Sequence, residues 1–401
     1  MKGQKKLLIY KILLFAFAFF IAFMPSTATR SKEVNSRVIV EMLGIDGGDD
    51  GVSVTAQYIM PTEQKDGASK DTVTVTGDSL TLAVEALSTA LGRRAELGHC
   101  SMVVVGEKAT PEMLSALMTA TDVTADVYMT AAEKEAKDFV SDVTEFMKKT
   151  GATDADFIAY GVKKAHVATN TLLSFLSDLN GASHTAFLPV VEMLEEGEGE
   201  SGSGGGSQGG GSGGQQESSG GEGEKGGGSE GGGESKQTGM KVEKLAVYSN
   251  NERVAVLDKE AARGVAWVSA PIEKGLLVAD VEYGGKTVED VSARLLKKHV
   301  CVKIDKEHNI ATVEVKAVIE PNGDKFNTLT AMGGDIEQAI TSAFAESIKT
   351  ELNKAYVDSR AVGCDPLFIG REFYRKAPDY YETEYNFYGV SVEFNIDVTI
   401  K

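Results

Sequence analysis

The chain has 401 residues, 42% of them hydrophobic and 25% charged, and a formal net charge of −18. That length accommodates two or three domains. The acidity excludes a nucleic-acid binder, which needs a basic stripe to replace counterions, and a polybasic grip on anionic lipid.

The first eleven residues carry Lys2, Lys5, Lys6 and Lys11 and no acid, and residues 12–24 are all apolar. Pro25 and the small residues Ser26, Thr27 and Ala28 follow. This is the layout of a signal peptide cleaved after Ala28 or, if uncut, of an N-terminal membrane anchor over residues 1–28.

Residues 36–195 alternate strand and helix patterns and form an N-terminal α+β region of one or two lobes. Val38–Leu43 and Val52–Ile59 read as a strand pair around an Asp46–Gly51 turn. That turn fails as a calcium loop, because Gly48 and Gln57 stand where ligands are required. Leu80–Leu91 reads as a helix capped by Ser79 or Asp78. Met102–Val105 is a short apolar strand. Pro111–Ala120 is a helix behind Thr110, with proline in its first turn. Val127–Thr130 is another strand, and Thr171–Leu179 a helix with one apolar face.

Residues 196–235 are half glycine, with Ser, Glu and Gln making up most of the remainder. Such a stretch has no apolar surface to bury against its ordering entropy. It predicts a disordered linker over residues 196–240, with an r.m.s. span of roughly 35 Å. Gly204, Gly206 and Gly209 fit G-x-G-x-x-G only through composition, since no strand precedes them and no helix follows.

Residues 241–401 read as a second α+β domain. It opens on a hairpin, Leu245–Tyr248 and Val254–Leu257, with Asn250 and Asn251 at its turn. A polar step from Asp258 to Arg263 leads to Gly264 and the single tryptophan, Trp267. Strands follow at Gly275–Tyr283, Val300–Ile304 and Ala311–Ile319. Ile336, Ile340, Phe344, Ile348, Leu352 and Tyr356 recur every four residues, predicting one long helix over 335–357 packed on a sheet. Asp365–Lys376 reads as a short helix with Asp365 as cap and Pro366 at its first position. From Val390 to Ile400 apolar residues alternate strictly, as in a half-buried closing strand. The fold class expected is α+β, with mixed, largely antiparallel sheets and flanking helices in two or three lobes.

The search for chemistry is negative. No two of the five histidines have metal-ligand spacing, and His299 and Cys301 share a strand face without a third ligand. There is no nucleophile elbow, no P-loop and no Ser-His-Asp constellation. Three cysteines, Cys100, Cys301 and Cys364, make no disulfide framework, although a Cys301–Cys364 pair stays open for an exported protein.

Five segments, taken in order, carry a resemblance. They are RVIVEMLGID (37–46), LGHCSMVVVGE (97–107), ASHTAFLPVVEM (182–193), the hairpin running into LDKEAARGVAW (257–267), and CDPLFIGREFYRK (364–376). Together with the final strand they resemble the Ger(x)C family, the C subunits of spore nutrient germinant receptors. The resemblance singles out Asp46, His99, Arg263, Gly264, Trp267, Asp365, Gly370 and Arg371 as motif residues, for which structural roles are expected. It implies a non-catalytic protein without cofactors on the outer face of the spore inner membrane. Its implied partners are integral membrane A-type and B-type receptor subunits, with which it would trigger germination on sensing nutrients. The alternative is a generic exported cell-surface or solute-binding protein on a flexible tether. The chain departs from the family at one point. No cysteine occurs before Cys100, so the usual lipid attachment lacks its acceptor.

Overall fold

The computed structural model describes residues 13–15, 17, 19, 37–49, 51–61, 68–153, 156, 158, 167–195, 237–269, 275–331 and 336–401. The leader, apart from five of its residues, and residues 196–236 of the expected linker lie outside them. Among the described residues no helix is long and apolar enough to cross a membrane.

The first half is built on strands β1 (Arg37–Gly48), β2 (Gly51–Pro61) and β3 (Ala68–Gly77), then helix α1 (Leu80–Leu91) and the short β4 (Arg94–Glu96). Next come β5 (Met102–Val105), α2 (Pro111–Ala120), β6 (Tyr128–Ala132) and α3 (Ala136–Thr150). The half closes with β7 (Asn170–Thr171), α4 (Leu172–Leu179) and β8 (Thr185–Glu195). Ser79 caps α1 as expected, its side chain accepting from the Leu82 N–H, and Gly92 ends the helix in the left-handed conformation.

Strands β1, β5, β6 and β8 run parallel at the centre of the sheet. Such strands are covered on both faces, which is why MVVV is an unbroken apolar run. Val103 and Val105 face a core under α1, α2 and α4. Met102 and Val104 face the opposite core under α3, where Phe139, Val140, Val143 and Met147 pack.

The hairpin β9 (Gln237–Ser249) and β10 (Glu252–Leu257) departs from expectation. It does not open the second sheet. β9 pairs antiparallel with β8 from Thr185–Ser249 to Glu195–Gln237, so the sheet order is β10-β9-β8-β6-β5-β1-β2-β3. Lys244 bridges Glu133 and Glu192 at 2.8 and 2.7 Å, and Arg253 donates to the Ala132 carbonyl at 2.8 Å. Residues 237–240, assigned to the linker from sequence, are thus strand, because β8 offers them an unpaired edge. Asn250 and Asn251 both have positive φ, 49° and 67°, as a two-residue type I′ turn requires.

Helix α5 (Lys259–Ser269) replaces the expected polar step. Asp258 caps it, accepting from the Ala261 N–H at 3.0 Å. The second sheet follows, in the order β11 (Leu276–Tyr283), β12 (Lys286–Asp305), β13 (Ile310–Asn322) and β14 (Ser391–Ile400), the last pair parallel. Helix α6 (Asp324–Ala331) lies between β13 and α7 (Ile336–Ala361). The stripe Ile340, Phe344, Ile348, Leu352 and Tyr356 on α7 is buried against this sheet. Two short helices, α8 (Ile369–Lys376) and α9 (Pro378–Thr383), precede β14.

The expected start of α8 at Asp365 is also corrected. Phe368 sits at φ 53°, ψ 35°, a left-handed conformation that interrupts any α-helix. Residues 365–368 therefore form a turn, and the helix begins at Ile369. The architecture is α+β, with two mixed sheets and flanking helices. All three cysteines are free thiols, including Cys301 and Cys364.

Candidate functional site

The motif residues gather at three places, and each explains a spacing in the sequence. At the first, Asp46 ends the buried run of β1 and reaches the N-terminus of α3. Its two carboxylate oxygens accept from Ala136 N (2.7 Å) and Lys137 N (2.9 Å). A carboxylate there satisfies orphan N–H donors and meets the positive end of the helix dipole. Burial pushes the Asp46 carboxyl above its ordinary range, against the pull of the two N–H groups. Gly106 gives this carboxylate its room, since a Cβ on it would lie 1.9 Å from the Asp46 Oδ1. The L-G-I-D and V-V-V-G-E segments are thus two sides of one contact. His99 is apart from it, exposed in a turn.

At the second place α5 crosses α7. Gly264 lets the backbones approach: a Cβ there would stand 2.1 Å from the Glu351 carbonyl oxygen and 2.7 Å from the Ala355 Cβ. Three residues on, Trp267 is buried and its Nε1 donates to Glu351 Oε2 at 2.8 Å. Arg263 reaches the other oxygen, Oε1, at 3.7 Å. Burial raises the Glu351 carboxyl, with Trp267 and Arg263 opposing. Lys298, from β12, donates to the Ala266 and Trp267 carbonyls at 2.9 and 2.8 Å and lies over the indole. It caps the C-terminal end of α5 without a carboxylate partner, and burial lowers its amine to about 8.

At the third place the two halves meet. Asp365 is buried and accepts from Ser183 Oγ (2.6 Å), Ile369 N (2.9 Å) and Gly370 N (2.7 Å). Its own N–H donates to Thr185 Oγ1 at 3.1 Å. Burial raises its carboxyl, with the Ser183 hydroxyl opposing. Arg371 covers the Phe368 ring at 4.2 Å and points to Asp178 at 3.8 Å. Gly370 is confined by Tyr385, the Ala182 carbonyl and Asp365. Sequence reasoning missed Ser183, Glu351 and Lys298, which hold these motif residues. Ser183 does lie within a quoted segment, ASHTAFLPVVEM, but nothing in its pattern names a partner far along the chain.

Two shallow clefts complete the surface. One of about 430 Å³ lies between the start of α2, the end of α4 and the Asn250–Asn251 turn. The other, of about 400 Å³, lies between β10 and the loops after β5 and β6. Among the described residues no group of three His, Cys, Asp or Glu side chains is placed to hold a metal ion.

Comparison with known proteins gives two matches to family models in tandem. Residues 30–193 match a spore germination protein N-terminal domain, and residues 243–401 match a "Spore germination B3/ GerAC like, C-terminal" domain. A solved structure titled "Crystal Structure of the GerBC protein" is similar at 12% identity and a TM-score of 0.46, covering 90% of this chain and 96% of that one. No curated protein matches the chain.

Proposed function

The chain belongs to the Ger(x)C spore germination family, and on that premise we propose that it is the C subunit of a nutrient germinant receptor, non-catalytic and working by assembly with integral membrane A-type and B-type subunits. The observation that carries this reading is the tandem match, in family order, across both halves of the chain. The geometry supports it: except for His99, the motif residues cap helices, permit close crossings or join the halves. They are committed to holding two sheets in one relation, as a scaffold presented to partners requires.

On the same reading the protein is exported to the outer face of the spore inner membrane. Residues 1–28 serve there as signal peptide or anchor, and residues 196–236 as a tether on the surface. The absence of cysteine before Cys100 leaves membrane attachment to that leader or to the partner subunits. Deleting the gene and scoring spore germination on a panel of nutrients tests the proposal. It expects loss of response to at least one nutrient, restored by the intact gene. It also expects a tagged chain to recover multi-span proteins from spore membranes. Unchanged germination on every nutrient, with no such proteins recovered, refutes it.

A further inference from the structure

We propose that the seam between residues 181–187 and residues 364–371 is a conformational latch, which the C-terminal unit can release while both sheets stay folded, with the Asp365 carboxylate as its bolt. This is a property of the fold and does not depend on the receptor reading.

The polar contacts across the seam converge on a few atoms. Ser183 Oγ donates to Asp365 and accepts from the Arg371 N–H at 3.1 Å, so one hydroxyl joins both ends of the 365–371 turn. Thr185 Oγ1 takes the Asp365 N–H, and the Tyr381 hydroxyl donates to the Ala182 carbonyl. Removing Ser183 Oγ or the carboxylate charge therefore weakens the whole set rather than one bond of many.

The same seam holds backbone strain. Six non-glycine residues have positive φ, and four of them, Asn250, Asn251, Asp290 and Asn309, are the Asn or Asp that tolerate it. The other two are His184, at φ 45°, and Phe368, at φ 53°. They lie on opposite sides of the seam. Phe368 is buried, and its ring packs edge-on against Phe187 at 5.7 Å. An aromatic residue in this conformation persists only where its surroundings force it.

Polar groups are also enclosed here without full satisfaction. The Ser359 hydroxyl, on the last turn of α7, and the Tyr385 hydroxyl, beside Gly370, have no hydrogen-bond partner among the described residues. Opening the seam would relax both left-handed residues and hydrate these hydroxyls, and these gains offset part of the apolar contact that is lost. The elements on either side have their own cores, one under α1, α2 and α4 and one under α7, so neither needs the seam to stay folded.

Hydrogen exchange read by mass spectrometry on the full chain tests the latch, comparing the parent with Asp365→Asn and Ser183→Ala. In both variants, exchange within 183–187 and 364–371 should rise together by about tenfold or more, the effect of losing a charge-assisted bond. Exchange in β5 and β13 should not change. Acceleration everywhere would show one cooperative unit and overturn the proposal. Acceleration confined to 364–371, or none, would also overturn it, since the two sides would then not move together. If Asp365→Asn fails to fold, Ser183→Ala is read alone, because it leaves the carboxylate its two backbone donors.

Discussion

Gly264→Ala measures how much the α5–α7 crossing contributes. The added Cβ would meet the Glu351 carbonyl oxygen at 2.1 Å and the Ala355 Cβ at 2.7 Å. The obstruction is backbone, so no rotamer change relieves it and the helices must part by roughly 1 Å. Overpacking of this kind costs about 1–3 kcal/mol, and a backbone clash belongs at the upper end. Parting the helices also draws Glu351 from the Trp267 Nε1, and a buried donor left unpaired costs about 1–3 kcal/mol more. Against this, alanine gains about 1 kcal/mol over glycine inside a helix. The net expectation is a loss of about 3 kcal/mol. Urea unfolding followed by tryptophan fluorescence reads it directly, since Trp267 is the single tryptophan and sits at the crossing. The midpoint should fall at unchanged slope, with native emission shifted to the red. A midpoint equal to the parent's or higher would mean that helix propensity outweighs the clash, and the close crossing would be refuted.

Asp46→Ala should cost about 2 kcal/mol, the upper range for a helix cap, and Asp46→Asn less; equal stability of all three proteins in thermal unfolding would contradict the capping role. Lys298 gives a pH signature. Its folded value, about 8, lies below the ordinary 10.5, so the folded state resists protonation. The stability tied to its neutral form is present above 10.5 and lost as pH falls through about 8. Lys298→Met should therefore gain on the parent as pH is lowered from 10.5 to 8, and a stability difference flat across that window would count against the assignment. Protease should cut within residues 196–236, and the two fragments should co-elute on size exclusion in native buffer because β8 and β9 stay paired; fragments that separate would refute that pairing.

Elements whose signals are local were legible in the sequence. Leu80–Leu91, Met102–Val105 and Pro111–Ala120 carry their own cap, apolar run or proline, and the structure has them at those bounds. The four-residue stripe of α7 was equally plain. Helix α3 was not, because its cap is supplied by Asp46, ninety residues away in sequence, and Glu135 before it makes no side-chain cap. Helix α5 was hidden by Gly264, which reads locally as a break and in fact serves a neighbouring helix. Phe368 interrupts α8 although nothing in a Phe predicts positive φ; its cause lies across the seam, in Phe187. The motif positions could be picked out from spacing, but their partners Ser183, Glu351 and Lys298 could not. A hydrogen bond between distant segments leaves no periodicity.

The hairpin shows why sequence and physical boundaries differ here. A linker of extreme composition suggests that folding restarts beyond it, and the C-terminal family model begins at residue 243. Yet Leu245, Ala246, Val247 and Tyr248 are fully buried in β9, between β8 and β10. A second half folding alone would expose this apolar strand with an unpaired edge, which invites aggregation. The first half alone would leave β8 bare in the same way. Each half therefore completes the other through β8 and β9. The physical boundary falls near Asp258, where α5 leaves the first sheet to cross α7. A displacement of one half then reaches the other by only two routes, the α5–α7 crossing at Gly264 and the Ser183–Asp365 seam. Those are the places where the motif residues of the second half, from Arg263 to Arg371, are concentrated.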